Sequence, residues 1–382
     1  MVKQFGFNEH CRIRKVMLLP RLLLPFIVMV VMIFGCATPY KYPYTTDFPG
    51  SYLHPIATPP VVDGRERFRE IFCGLLAEDP KYRNEAGNCE DFLLRLSDEG
   101  QLNKNPGPVP APDTRYRILV VPGLFNECFS SIALPFEASI ETLRNRGFRI
   151  ELLIVSGRSS SDKNAAYIAK VIENMTLDSD EDLVLVGYSK GAVDILNFLV
   201  NYPAQARKVA AVVSVAGAIN GSPLAKKFAN TYTHLAKYIQ LSQCEPGDSG
   251  AIDSLKYSTR LSWLAANPLP NSAEYFSLVS FTRRENINLL LKVWYDMLAV
   301  FSPRNDGQLL SADQIIPGAT LLGYANVDHW SLVLPLEDSW LSDTVEMPKR
   351  FPREILLQSM LLYVAETLDR KQKKNETAFN PN

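Results

Sequence analysis

Histidine and tryptophan are scarce in this 382-residue chain, at four each. A reaction that needs an imidazole base therefore has a short list to draw on. There is no CxxC motif and no Cys/His cluster, which argues against a zinc site of the usual spacing. There is no internal repeat, which excludes a solenoid or propeller. Long apolar runs are missing too. Leu22–Phe34, about thirteen residues, falls short of the roughly 20 that span a bilayer as a helix. A basic excess is also lacking. The net charge is -1, and residues 1–35 hold five cations and one acid, leaving -5 on the remainder. Such a body has no footprint for neutralising phosphates, so no nucleic-acid partner is expected.

The cations are concentrated at the N-terminus. Arg12, Arg14, Lys15 and Arg21 precede the apolar run, which ends in Gly35-Cys36-Ala37. A basic region, a short apolar stretch and small residues describe a secretory signal over residues 1–35; the alternative is an uncleaved signal anchor. Ile33-Phe34-Gly35-Cys36 resembles a bacterial lipobox. The resemblance implies cleavage before Cys36, lipidation there and attachment to a membrane. Ala37 in place of Asp then suggests the outer membrane of a bacterial envelope, with the protein facing the periplasm. Export agrees with the cysteines left in the body: Cys73, Cys89, Cys128 and Cys244 form an even set able to pair in an oxidising compartment. Four cysteines allow three connectivities. Cys73–Cys89 is favoured because both lie on neighbouring helical segments, which leaves Cys128–Cys244.

Residues 36–62 are rich in Pro, Tyr and Thr and read as an extended tether. Residues 63–112 read as a helical extension, with helices at Arg65–Ala77 and Cys89–Leu96. From residue 113 to 369 apolar strands alternate with helical segments, the pattern of a mainly parallel sheet with helices on both faces. Expected strands include Ile118–Val121, Leu183–Val186, Val209–Val215, Tyr275–Phe281 and Thr320–Ala325; Glu354–Leu368 is an expected closing helix. Residues 222–273 break the alternation and read as a helical cap. Its leucines and Trp263 either line an acyl pocket or pack the cap onto the body. The charged segment 370–382 reads as a disordered tail.

Within this frame, Gly187-Tyr188-Ser189-Lys190-Gly191 follows a buried strand and opens a helix. That context matches a nucleophile elbow, whose sharp turn lifts the serine above the sheet edge. The flanking glycines leave room where a Cβ would strike a neighbouring element. A serine hydroxyl needs a base to take its proton. Of the histidines, His10 lies in the signal, His54 in the tether and His234 in the cap, which leaves His329 after the last strand. The base needs an acid to hold its tautomer. Asp306, in the turn Asn305-Asp306-Gly307 between the last two strands, is the leading candidate, with Asp313 and Glu285 as rivals. Asp328 adjoins His329 and is badly placed to bond its ring. An oxyanion needs two backbone N–H donors: Lys190, and Leu124 or Phe125 in the loop after the first buried strand.

Gly187–Gly191, Asn305–Gly307 and Asp328-His329-Trp330 resemble the α/β-hydrolase superfamily, nearest its bacterial lipases and esterases; the likeness covers residues 115–368. It implies the order Ser189, Asp306, His329, and hydrolysis of acyl esters or lipids through an acyl-enzyme, without metal or cofactor. Lys190 departs from the usual neutral residue, its side chain either solvated or attracting anionic substrates. The same three residues would serve an acyltransferase or thioesterase, and a non-catalytic envelope scaffold would keep the fold alone. No protein partner is indicated.

Overall fold

The computed structural model describes residues 60–83, 89–96, 99, 107–113, 115–124, 134–227, 247–338 and 350–379. The signal, Cys36, nearly all of the tether, Phe125, Cys128 and Cys244 lie outside the described residues, as does His234.

Eight strands form one sheet: β1 (Val62–Asp63), β2 (Leu93–Leu94), β3 (Tyr116–Val121), β4 (Arg149–Leu152), β5 (Asp182–Tyr188), β6 (Val209–Val215), β7 (Glu274–Ser280) and β8 (Thr320–Ala325). Their order is β1-β8-β7-β6-β5-β3-β4, every pairing on that path parallel. The helices are α1 (Arg65–Glu78), α2 (Pro80–Arg83), α3 (Glu137–Asn145), α4 (Ser161–Asn174), α5 (Lys190–Asn201), α6 (Pro203–Ala206), α7 (Tyr257–Ala266), α8 (Lys292–Ala299) and α9 (Arg353–Phe379). This is the expected α/β arrangement, and the central strands explain it. Parallel strands covered on both faces read as continuous apolar runs, and Leu183–Val186 is such a run. Leu183 and Leu185 pack with Ile168, Ile172 and Ile195 of α4 and α5. Val184 and Val186 pack on the other face with Phe68, Phe72 and Met360 of α1 and α9. Each large side chain so buried contributes roughly 1.5–3 kcal/mol.

Three expectations for the periphery differ from what is observed. Cys89–Leu96 is not a helix. Cys89–Asp91 makes one 3-10 turn, and Leu93–Leu94 then pairs antiparallel with Tyr324–Ala325 of β8. Short apolar runs do not specify helix over strand, and here the open edge of β8 decides. Val62–Asp63, at the junction expected between tether and helical extension, is instead a strand that covers the other end of the same edge. Residues 370–379 continue α9 rather than forming a tail. Lys, Gln, Glu and Ala there are good helix formers, and Pro comes only at 381.

The segment before β3 is therefore part of the core rather than an appendage. Phe68 and Phe72 are fully buried, and a disulfide joins Cys73 of α1 to Cys89. Arg69, also buried, donates to the carbonyls of Leu93 and Leu94 at 2.7 and 2.9 Å and to both oxygens of buried Glu99. One guanidinium thus holds β2 against β8 and neutralises the one acid beside it. Replacing Arg69 with Met strands the Glu99 carboxylate and two carbonyls. The expected loss is about 3–5 kcal/mol, measured by urea unfolding; a loss under about 1 kcal/mol would refute this role.

Candidate active site

Strand β5 ends at Tyr188 and α5 begins at Lys190, so the chain reverses within one residue. Ser189 does this with φ 54° and ψ -121°. A left-handed non-glycine backbone costs of order 1–3 kcal/mol and persists only where its surroundings fix it. Ser189 N–H donates to Val215 O at 3.1 Å, and Ser189 O accepts from Ala218 N at the same distance. The two glycines are required by contact. A Cβ on Gly191 would lie 2.2 Å from Val121 O, and one on Gly187 2.5 Å from the Ala192 backbone.

The sequence candidates meet at this turn. Ser189 Oγ lies 2.9 Å from His329 Nε2, and His329 Nδ1 lies 2.7 Å from Asp306 Oδ2. Asp306 is fully buried and its carboxylate is surrounded by donors. Oδ1 accepts from Gln308 N and Leu309 N at 2.9 and 2.7 Å. Oδ2 also accepts from Ser280 Oγ at 2.8 Å and Gln314 Nε2 at 3.3 Å. A carboxylate bonded in this way accepts the Nδ1 proton, which leaves Nε2 free to accept from the serine hydroxyl. The two loops are also joined through the main chain, His329 N donating to Asp306 O at 2.9 Å.

The rival acids stand elsewhere. Asp328 turns its buried carboxylate away from the ring. It accepts from Trp330 N, Ser331 N, Ser331 Oγ and Asn288 N, so it caps the turn after His329. Burial pushes its pKa up against those donors. Asp313 accepts from the Tyr257 hydroxyl of the cap and, at 3.4 Å, from Asn220 Nδ2. Burial raises its pKa to about 6. Glu285 is exposed on a 3-10 turn.

Lys190 departs from both expectations for its side chain. It is buried and donates to Asp194 Oδ1 at 2.7 Å, one helical turn on, while Asn164 Nδ2 donates to Asp194 Oδ2. Its ammonium therefore serves the α4–α5 packing rather than a substrate. Its backbone N–H opens α5, where helix geometry supplies no acceptor. The loop after β3 passes close by: a Cβ on Gly123 would lie 2.9 Å from Ser189 Cβ. Leu124 follows it and packs with Val193, Ala218 and Leu309.

The described part of the cap is fastened to the body. Leu255 joins the cluster around Val193 and Leu309, and Trp263 and Leu264 pack on the α4–α5 side of the core. These residues pack the cap onto the body; Leu261 is exposed, and Leu235 and Leu241 lie outside the described residues. Arg260 of α7, buried, donates to Ile219 O and Asn197 Oδ1 at 3.0 and 3.1 Å.

Sequence reasoning missed Tyr188, Ser280 and Gln314. The Tyr188 hydroxyl donates to His329 O at 2.8 Å, and its ring lies 5.0 Å from the imidazole. Burial, reinforced by Asp306 and Asp328, pushes the phenol pKa well up, so it remains a donor. Only its position next to the serine hinted at this role. For Ser280 and Gln314, on separate elements, no local signal exists.

A metagenomic carboxyl esterase of solved structure is 35% identical to this chain, with a TM-score of 0.75 over 91% of this chain and 100% of that one. A mature lipase of Bacillus licheniformis is 23% identical, with a TM-score of 0.46 over 60% of this chain and 89% of that one. No family model and no curated protein matches the chain. With 35% identity over the full length of that esterase, and with the mainly parallel sheet it shares, the chain belongs to the α/β-hydrolase carboxylesterases and is a carboxylic ester hydrolase.

Proposed function

We propose that Ser189, His329 and Asp306 are a catalytic triad that cleaves acyl esters, lipid esters included, through an acyl-enzyme. The observation that carries this reading is the continuous chain of contacts from Ser189 Oγ through both ring nitrogens of His329 to Asp306, at 2.9 and 2.7 Å. His329 Nε2 takes the hydroxyl proton as Ser189 Oγ bonds the ester carbonyl carbon. The oxyanion so formed accepts from the N–H of Lys190 and from a second N–H, of Leu124 or Phe125. Collapse breaks the ester bond, and the imidazolium returns its proton to the departing alcohol. Water then repeats the sequence on the acyl-enzyme, releasing the acid and restoring Ser189. Asp306 keeps its negative charge throughout and stabilises the imidazolium. Tyr188 and the caps on Asp328 hold the base loop while the ring takes and gives its proton.

The carboxyl esterase at 35% identity supports an ester substrate. The lipobox-like Ile33–Cys36 supports export, cleavage before Cys36 and lipid anchoring in a bacterial envelope, with the catalytic body facing the periplasm. On this reading the domains run from the signal (1–35) and tether (36–62), through a segment (63–112) that completes the sheet edge, to the hydrolase body. Three intact partners in hydrogen-bond reach count against a non-catalytic scaffold.

Residues 37–382 should react with a fluorophosphonate, and Ser189→Ala and His329→Ala should both abolish labelling while remaining folded by circular dichroism. Labelling that survives Ser189→Ala would refute the assignment of the nucleophile. Separately, full-length protein expressed in bacteria with a labelled fatty acid should incorporate it and sediment with membranes. Cys36→Ser should lose both properties; incorporation unaffected by Cys36→Ser would refute the anchor.

A further inference from the structure

Asp306 has more donors than orienting a histidine requires. We propose that Ser280 and Gln314 are positioning residues that fix the aim of the Asp306 carboxylate and temper its charge, so that they set the pH at which His329 becomes an effective base. The proposal rests on the triad reading above.

The turn around Asp306 already satisfies Oδ1 through the N–H groups of Gln308 and Leu309. Oδ2, the oxygen that faces His329, takes both of its additional donors from outside that turn. Ser280 is the last residue of β7, and Gln314 ends the 3-10 helix Ser311–Gln314. Both are fully buried. The Gln314 amide has only one sensible orientation. Its Oε1 accepts from Ser280 N at 2.7 Å, and its Nε2 donates to Ser280 O at 2.8 Å while also reaching Asp306 Oδ2. Gln314 therefore extends the end of β7 like a short strand, and the main chain of that strand aims its donor.

Each donor to a buried carboxylate stabilises its charged form. Three donors on one oxygen also spread the charge that would otherwise act on the imidazolium alone. Removing the Ser280 hydroxyl leaves more negative charge facing Nδ1, which favours the imidazolium. The base then becomes free only at higher pH. The other titratable or charged groups around the pair have partners of their own. Tyr188 stays neutral and donates to His329 O. Asp328 is held by the turn after His329, and Asp313 by Tyr257 and Asn220. Arg304 stacks over Phe281, 5.9 Å from its ring centre. None of these replaces a donor lost from Oδ2. A purely structural role for Ser280 would lower stability and leave the pH profile in place.

The test is the pH dependence of kcat/KM for a soluble short-chain ester, followed by chromatography of the released alcohol and normalised by fluorophosphonate titration. In Ser280→Ala the acidic limb should rise by about 0.5–1 pH unit, and kcat should fall about tenfold through loss of a charge-assisted bond. Ser280→Thr, which keeps the hydroxyl, should return the limb towards wild type. Gln314→Glu keeps the shape but sets a second carboxyl beside Asp306. It should add a descending limb as that carboxyl ionises, and it carries the test if Ser280→Ala does not fold. Profiles of Ser280→Ala and Gln314→Glu that superimpose on wild type would overturn the proposal. Asp306→Asn and Ser189→Ala in the same assay separate the two claims. If both are inactive while Ser280→Ala and Gln314→Glu superimpose on wild type, only this inference fails; if Ser189→Ala is active, the triad reading fails.

Discussion

Space at the Ser189 turn is the constraint on which the rest of the site depends. The serine adopts φ 54°, and the neighbouring loop after β6 is also left-handed, with Ala216 at φ 45°. Each strained backbone braces the other. Ser189 N–H donates to the last carbonyl of β6, Ala218 returns a bond to Ser189 O, and Ala216 N donates to Leu278 of β7. Behind the turn, α5 starts so close to β3 that only hydrogen fits at Gly191. Strands β3, β5, β6 and β7 therefore need to be adjacent and parallel for the hydroxyl to be presented at all. The sheet order is in this sense part of the chemistry.

The second organising feature is how buried acids are kept apart in function. Asp306, Asp313 and Asp328 are all buried. Each has its own donors: Asp306 faces the imidazole, Asp328 the turn behind it and Asp313 the cap. Burial raises the pKa of Asp328 and takes Asp313 to about 6. An acid in a dry site keeps its charge only where hydrogen bonds replace the lost water. The Asp306 carboxylate meets five donors, counting the ring N–H, two of them from its own turn and three from other elements. Number and direction of donors, rather than distance along the chain, distinguish the three.

Much of this was legible in the sequence because it is local. Val209–Val215 and Thr320–Ala325 are strands with the expected bounds, their place in the alternation with helical segments deciding what a short apolar run alone does not. Ser189 was marked by a strand–turn–helix context, His329 by the scarcity of histidine and Asp306 by an Asn-Asp-Gly turn; the structure brings the three together. What could not be read was non-local. Strand β2 exists because β8 has an open edge, and Arg69 holds it there from another helix. Lys190 reads as a surface cation until Asp194 and Asn164 are placed against it. Ser280 and Gln314 lie 26 and 8 residues from Asp306 and carry no motif.

The central claim is that ester cleavage passes through a covalent bond to Ser189. The direct measurement is rapid acid quench of the wild-type enzyme during turnover of an activated ester, followed by peptide mass mapping. The account predicts a transient mass increase equal to the acyl group, confined to the peptide that contains Ser189. Alcohol should be released in a burst equal to the enzyme concentration when deacylation is the slower step. Steady ester consumption with acylation on another residue, or with no acylated peptide at any quench time under burst conditions, would contradict it.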